Sequence, residues 1–149
     1  MANLWHEKYE LNIKEIDTQH KKFFEILEST DPMLEKNELA DQDVFQIMRL
    51  LIELRNYGFL HFHTEEKLMI KCGFPDFLTH LELHDDFMYS MKEYRMTFLE
   101  LFKIFQEGHA NHEDISEFIK GFVKYVAEWY QEHISNKDAK YAYFIKTKS

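Results

Sequence analysis

Hydrophobic positions recur at three- and four-residue steps along four stretches of the chain, the period of a helix that turns one face to a core. The first stretch, placed after Asp17 and Thr18, carries Ile16, His20, Phe23, Phe24 and Leu27 on one stripe. The second runs from about Asp43 to Lys71 and turns Val44, Ile47, Met48, Leu51, Leu54, Gly58, His61, Glu65 and Leu68 inward. The third begins after Pro75, with Phe77, His80, Leu81, His84, Phe87, Met91, Phe98 and Phe105. The fourth starts at Asn111 and carries Ile115, Phe118, Ile119, Phe122, Val126, Trp129 and His133.

The breaks between the stripes are as legible as the stripes. Asp31-Pro32 interrupts the first connection, and Asp41 or Asp43 is placed to cap the second helix. Gly73-Phe74-Pro75 predicts a short turn, and Gly108 the end of the third helix. Asn111 and Asp114 have the spacing of a capping box for the fourth. Short links between the later helices favour antiparallel neighbours, so the expected architecture is all-α, an up-down-up-down four-helix bundle. The less regular opening LWHEKYELNIKEI is read as an extended N-terminal arm across the bundle. The closing KYAYFIKTKS is read as a last short helix or a packed tail.

Composition narrows the function classes. A chain of 149 residues suits a single domain, residues 1–149, with room for a real core. The formal net charge of −9 disfavours nucleic acid and anionic membranes as partners. The opening MANLWHEKYE lacks an apolar signal core, and no apolar run approaches membrane-spanning length. With Cys72 as the only cysteine there is no disulfide framework, and the expectation is a soluble cytoplasmic protein.

The inward polar residues carry the chemistry. A buried carboxylate or imidazole is costly unless paired, hydrogen-bonded or bound to a metal. Five histidines and one glutamate stand where the pattern calls for Leu or Phe. His61 and Glu65 lie one turn apart on one face, as do His80 and His84. His20 and His133 come from the other two helices. Asp138 follows His133 by five positions, a step of roughly 140° on a regular helix. It reaches the same site only if the helix ends or distorts near Ser135-Asn136. One inward histidine alone is most simply a hydrogen-bonded core residue; five of them with Glu65 and Asp138, taken together, point to metal. His6, His63, His109 and His112 fall off the inward pattern or in loops and read as surface, and Cys72 carries no assigned role.

These residues resemble the hemerythrins, and within them the bacterial ones. The likeness starts at Trp5 and Ile16-Asp17-Thr18-Gln19-His20, similar to the family's IDxQH. It continues through His61-Phe62-His63-Thr64-Glu65-Glu66, similar to HFxxEE, and His80-Leu81-Glu82-Leu83-His84. It closes at Trp129, His133-Ile134 and Asp138. The resemblance implies two iron ions, one held by His80, His84 and His133, the other by His20 and His61. Glu65 and Asp138 would bridge them together with a single oxygen atom, oxo or hydroxo. The second iron would be one donor short, and dioxygen would bind there. Ligand types alone also admit zinc, manganese or cobalt.

The chain departs from the family pattern in several places. The stretches between His20 and His61 and between His84 and His133 are long, the latter implying a third helix extended by about two turns. Asn12 stands where many relatives carry glycine. Tyr130 stands where relatives usually have leucine in the apolar oxygen pocket, and it either faces the open iron or turns its hydroxyl to another polar partner. Two readings follow. The first is a reversible dioxygen-binding protein for storage, delivery, scavenging or sensing, with a separate redox or signalling partner. The second is a di-iron enzyme that reduces peroxide, oxygen or nitric oxide with Tyr130 near the open site. A module keeping only a structural metal is a weaker third.

Overall fold

The computed structural model describes residues 3–36 and 38–148, and every regular element among them is helical. Four long helices form the bundle: α1 Lys14–Glu28, α3 Asp41–Cys72, α4 Phe77–Gln106 and α5 His112–His133. A short α2, Asp31–Leu34, lies in the first connection, with Pro32 in its first turn where a missing N–H costs nothing. A π-helical turn, Ile134–Asp138, follows α5 directly and leads into α6, Ala139–Lys148. Contacts join α1 to α3, α3 to α4, α4 to α5 and α5 back to α1, so each helix neighbours its successor and the ring closes. That is the expected up-down-up-down antiparallel bundle. No helix of the described residues is long and apolar enough to cross a membrane.

The ends of the helices show how local sequence sets their limits. Asn111 accepts from the Asp114 N–H at 3.0 Å while Asp114 accepts from the Asn111 N–H at 2.9 Å, the expected capping box. Gly73 and Gly108 take left-handed φ values of 72° and 80°, stopping α3 and α4 where a side chain would be strained. Two expectations need adjustment. The cap of α3 is Ala40, and Asp43, three positions inside, accepts from the Ala40 N–H at 2.8 Å. Helix α1 starts at Lys14, so Asp17 lies within it rather than ahead of it. The Asp17 Oδ1 atom instead accepts from the Leu11 N–H at 2.8 Å, tying the arm to the first turn of α1.

The main core fills the bundle below the polar residues. Phe23, Leu27, Ile47, Leu54, Phe87, Phe98, Ile119, Phe122 and Val126 are out of solvent, each burial contributing about 1.5–3 kcal/mol. Two smaller apolar clusters close the opposite side. One joins Leu11 and Ile16 to Ala142; the other joins Met69 and Phe74 to Tyr141. The N-terminal arm crosses the bundle as expected, with one 3₁₀ turn at Glu7–Tyr9. Its Leu4 carbonyl accepts from Gln131 of α5, and its Leu4 N–H donates to Glu28 of α1. Leu4, Trp5 and Tyr9 of the arm pack on the main core, whereas Leu11, the α3–α4 turn and α6 cover one end of the bundle, and the inward histidines lie between that cover and the main core.

Asn12 is the only non-glycine residue with positive φ among those described, at 60°. This explains why glycine suits the position: the chain must turn left-handed there to bring Leu11 to Asp17. Asparagine tolerates that region better than other L-residues, for which it costs about 1–2 kcal/mol. Asn12→Ala is expected to lower the unfolding free energy by about 1 kcal/mol, and Asn12→Gly to stay within about 0.5 kcal/mol of wild type. Urea unfolding of the three proteins checks this; equal Ala and Gly variants would contradict it.

Candidate metal centre

The tight Gly73-Phe74-Pro75 turn sets the C-terminal end of α3 level with the N-terminal end of α4. His61 and Glu65 on the one therefore face His80 and His84 on the other. His20 on α1 and His133 at the end of α5 complete four sides. Asp138 arrives by the distortion that its spacing requires. In the π turn of Ile134–Asp138 the backbone bonds span five residues instead of four, so a five-residue step returns to the inward face. All seven side chains are buried, and His20, His61, Glu65 and Asp138 are 0% exposed.

Their donor atoms converge on two neighbouring points. His80, His84, His133 and Asp138 form one group, and His20, His61, Glu65 and Asp138 another, with the atoms of each group within 4.8 Å of one another. Asp138 divides its carboxylate between them. Its Oδ1 lies 3.0 Å from His80 Nε2 and 3.1 Å from His133 Nε2, while Oδ2 lies 3.1 Å from His20 Nε2. Glu65 Oε1 is 2.9 Å from His61 Nε2 and 3.7 Å from His84 Nε2, so it too stands between the groups. Its second oxygen accepts a short hydrogen bond from the Tyr141 hydroxyl on α6.

Tautomers follow from the outer partners. His61 Nδ1 lies 2.7 Å from Gln19 Oε1, and His84 Nδ1 lies 2.8 Å from Glu66 Oε2. Both partners are acceptors, so each Nδ1 carries the hydrogen and each Nε2 turns a lone pair inward. Gln19 is itself oriented, donating to the Thr64 hydroxyl at 3.2 Å.

The electrostatics describe a site lacking positive charge. Burial pushes His84 down to about 3, so it is neutral and ready to donate. Burial alone would raise the Asp138 carboxyl, but the surrounding imidazoles, His133 foremost, hold it well below the usual carboxylate range. Burial and the Asp138 charge press Glu65 upward, and His61 and His20 outweigh them. His133 is desolvated, yet the Asp138 charge still raises it above an ordinary imidazole. His133 Nε2 faces His84 Nε2 at 3.2 Å, an arrangement of two nitrogens that needs a proton or a cation between them.

The residues fit a pair of metal ions on the structure's own terms. His20 Nε2, His61 Nε2, His80 Nε2, Glu65 Oε1 and both Asp138 oxygens are buried with no aligned hydrogen-bond partner among the described residues. Native interiors seldom leave so many polar atoms unsatisfied in one place, unless an ion is their partner. Nitrogen and oxygen donors without thiolate suit a first-row transition metal. Cys72 is not among them; its thiol faces the Met69 carbonyl. His6, His63 and His109 are exposed, and His112 lies partly covered against Phe105, as their off-pattern positions imply.

The sequence reading passed over three contributors. Gln19 and Glu66 sit beside ligand candidates, inside segments singled out for those neighbours, and their own role appears only with the Nδ1 contacts. Tyr141 lies in the closing tail, where no periodicity marked an inward face. Tyr130 is fully buried, its ring stacked 3.8 Å from that of Phe23 and 6.2 and 6.4 Å from those of His61 and His20.

Comparison with known proteins agrees with this geometry. The family model described as the hemerythrin HHE cation binding domain matches residues 11–145. A bacteriohemerythrin of Clostridium acetobutylicum is 29% identical over 138 residues, 93% of this chain and 97% of the relative. One of Pseudomonas aeruginosa is 31% identical over 142 residues, 95% of this chain and 80% of the relative. A hemerythrin-like protein of Naegleria gruberi is 23% identical over 137 residues, 92% of this chain and 88% of the relative. The matched span takes in all seven converging side chains, and the chain belongs to the hemerythrin family.

Proposed function

We propose that the chain holds two iron ions and binds dioxygen reversibly beside one of them, with His20, His61, Glu65, His80, His84, His133 and Asp138 as ligands. The observation that carries the reading is the divided Asp138 carboxylate, with two imidazoles facing one oxygen and a third imidazole facing the other. One donor group has three imidazoles and the other two, so equal metals in them would differ by one open position. Iron, when bound, supplies the electrons for dioxygen and the open position that receives it.

The chain's own residues serve that role in definite ways. Asp138 and Glu65 would span the pair with a bridging oxygen, and their two negative charges offset part of the charge of the cations. Gln19 and Glu66 fix the rings of His61 and His84, so the lone pairs keep their aim with or without metal. Phe62 stacks 3.9 Å from the His84 ring, and Phe23 and Phe87 continue an apolar wall that excludes water from the site. A set rich in imidazole and poor in carboxylate favours binding dioxygen over cleaving it, which places carriage ahead of enzymatic reduction.

The intact protein is expected to carry two irons per chain. Its absorption should change reversibly through anaerobic reduction, oxygenation and removal of oxygen. One ion per chain, or a one-way change with peroxide turnover, would overturn the carrier reading. His84→Ala should lower the content to about one iron or fewer, because one group loses a donor while buried carboxylates remain.

Tyr141 offers a check on Glu65. Tyr141→Phe removes the donor to a fully buried carboxylate, and the unfolding free energy should fall by about 1.5–3 kcal/mol. Tyr143, 71% exposed on the same helix, is the control. Tyr143→Phe should remain within about 0.5 kcal/mol of wild type. Denaturant unfolding of both variants makes the comparison, and equal losses would mean that the Glu65 contact does not hold α6 in place.

A further inference from the structure

Tyr130 lies on α5 one turn before His133, 0% exposed. Aromatic rings surround it: Phe23 stacked at 3.8 Å, Phe87 at 5.5 Å and Phe62 at 6.0 Å between centroids. The imidazole rings beside it are those of His20 and His61, which belong to the two-imidazole group. Its hydroxyl is buried and has no hydrogen-bond partner among the described residues. Phenylalanine would fill the same space without that oxygen, and a buried hydroxyl left unmade costs as much as a hydrogen bond is worth. Phenylalanine would therefore be the stable choice if packing were the whole role. A phenol near neutral pH keeps its proton, so the unsatisfied group is a donor in search of an acceptor.

We propose that the Tyr130 hydroxyl is a specificity-determining hydrogen-bond donor to the small ligand held beside His20 and His61. It favours ligands whose outer atom carries negative charge. This rests on the two-iron reading above. Two features of the surroundings sharpen the preference. The rings of Phe23, Phe62 and Phe87 around the phenol bring no competing donor. The stack on Phe23 also fixes the ring, so little conformational freedom is lost when the bond forms.

Azide is a suitable probe, being small, linear and anionic with an acceptor nitrogen at its far end. Iron-loaded full-length wild type, Tyr130→Phe and Tyr130→Leu are titrated with azide in the oxidised state and followed by absorption. Loss of the hydroxyl should weaken azide binding by about ten- to a hundredfold in both variants, the range for a hydrogen bond to a charged acceptor. Iron content should stay that of wild type. Melting of the azide-free protein should move up by about 2–4 °C in Tyr130→Phe, because the orphan hydroxyl is gone. Azide affinities equal within about twofold in wild type and Tyr130→Phe would overturn the proposal and leave a buried water as the partner. So would a loss confined to Tyr130→Leu, which would show that only ring volume matters. Fewer than two irons in wild type would remove the underlying reading first, and that is seen before any azide is added.

Discussion

Desolvation of charge is the constraint on which the rest of this structure depends. Glu65 and Asp138 are fully buried, and their ion-pair partners among the described residues are imidazoles rather than lysine or arginine. An unpaired carboxylate in such a place would cost several kcal/mol, and two would threaten a stability that seldom exceeds about 15 kcal/mol. The Asp138 charge holds the His133 imidazole above its ordinary value against its own burial, and the surrounding imidazoles hold both carboxyls below theirs. Two metal ions would satisfy the same demand more completely, since they would accept every inward lone pair at once. Binding and folding would then be coupled through one small group of atoms.

The architecture is arranged to meet that constraint from both sides. The main core holds the four helices in register below the site, so the imidazoles are carried on rigid elements. Above it, the Leu11 end of the arm and α6 supply a thinner cover whose apolar clusters are small. That cover is also held by polar ties, Asp17 to Leu11 and Tyr141 to Glu65. Directional bonds do there what packing area does in the core. The π turn belongs to the same economy of means, because a regular helix would have sent Asp138 to solvent and left His20, His80 and His133 without a shared anion.

Much of this was legible in the sequence, and the limits have physical reasons. The long helices announced themselves because each buries one face against two neighbours, which imposes the 3.6-residue period on Leu, Phe and Ile. Six polar intrusions stood out against that period, and the structure brings them together with Asp138. Asp138 was harder: only the chemistry of Ser135 and Asn136 suggested that the helix would distort, and its spacing demanded it. Phe62 escaped the inward stripe of α3 because this helix is covered by both α1 and α4, so its buried arc is wider than one stripe. The short α2 and the ten-residue α6 offer too few turns for a period to show. Tyr141 followed from neither pattern nor motif; its role is a tertiary contact between the tail and α3. The cap of α3 was misplaced for a similar reason, since an aspartate three positions inside a helix can serve the turn as well as one at its border.

The outer partners of the imidazoles add an asymmetry to the one set by ligand number. On the three-imidazole side, the ring of His84 is backed by the Glu66 carboxylate; on the two-imidazole side, the ring of His61 is backed by the Gln19 amide. A carboxylate accepts the Nδ1 hydrogen more strongly than an amide, so the His84 ring is the more firmly oriented of the two. Burial, which raises Glu66 toward neutrality, tempers that difference without removing the hydrogen bond. The side with more imidazoles therefore also has the better-supported one, and the side with fewer keeps a weaker donor set, an apolar wall and the unpaired Tyr130 hydroxyl. Both asymmetries act in one direction: they would complete the donor set of a metal in one group and leave a metal in the other in need of a further ligand. A symmetric site built from the same residue types would have no reason to prefer one side, and selectivity at a single position would be lost.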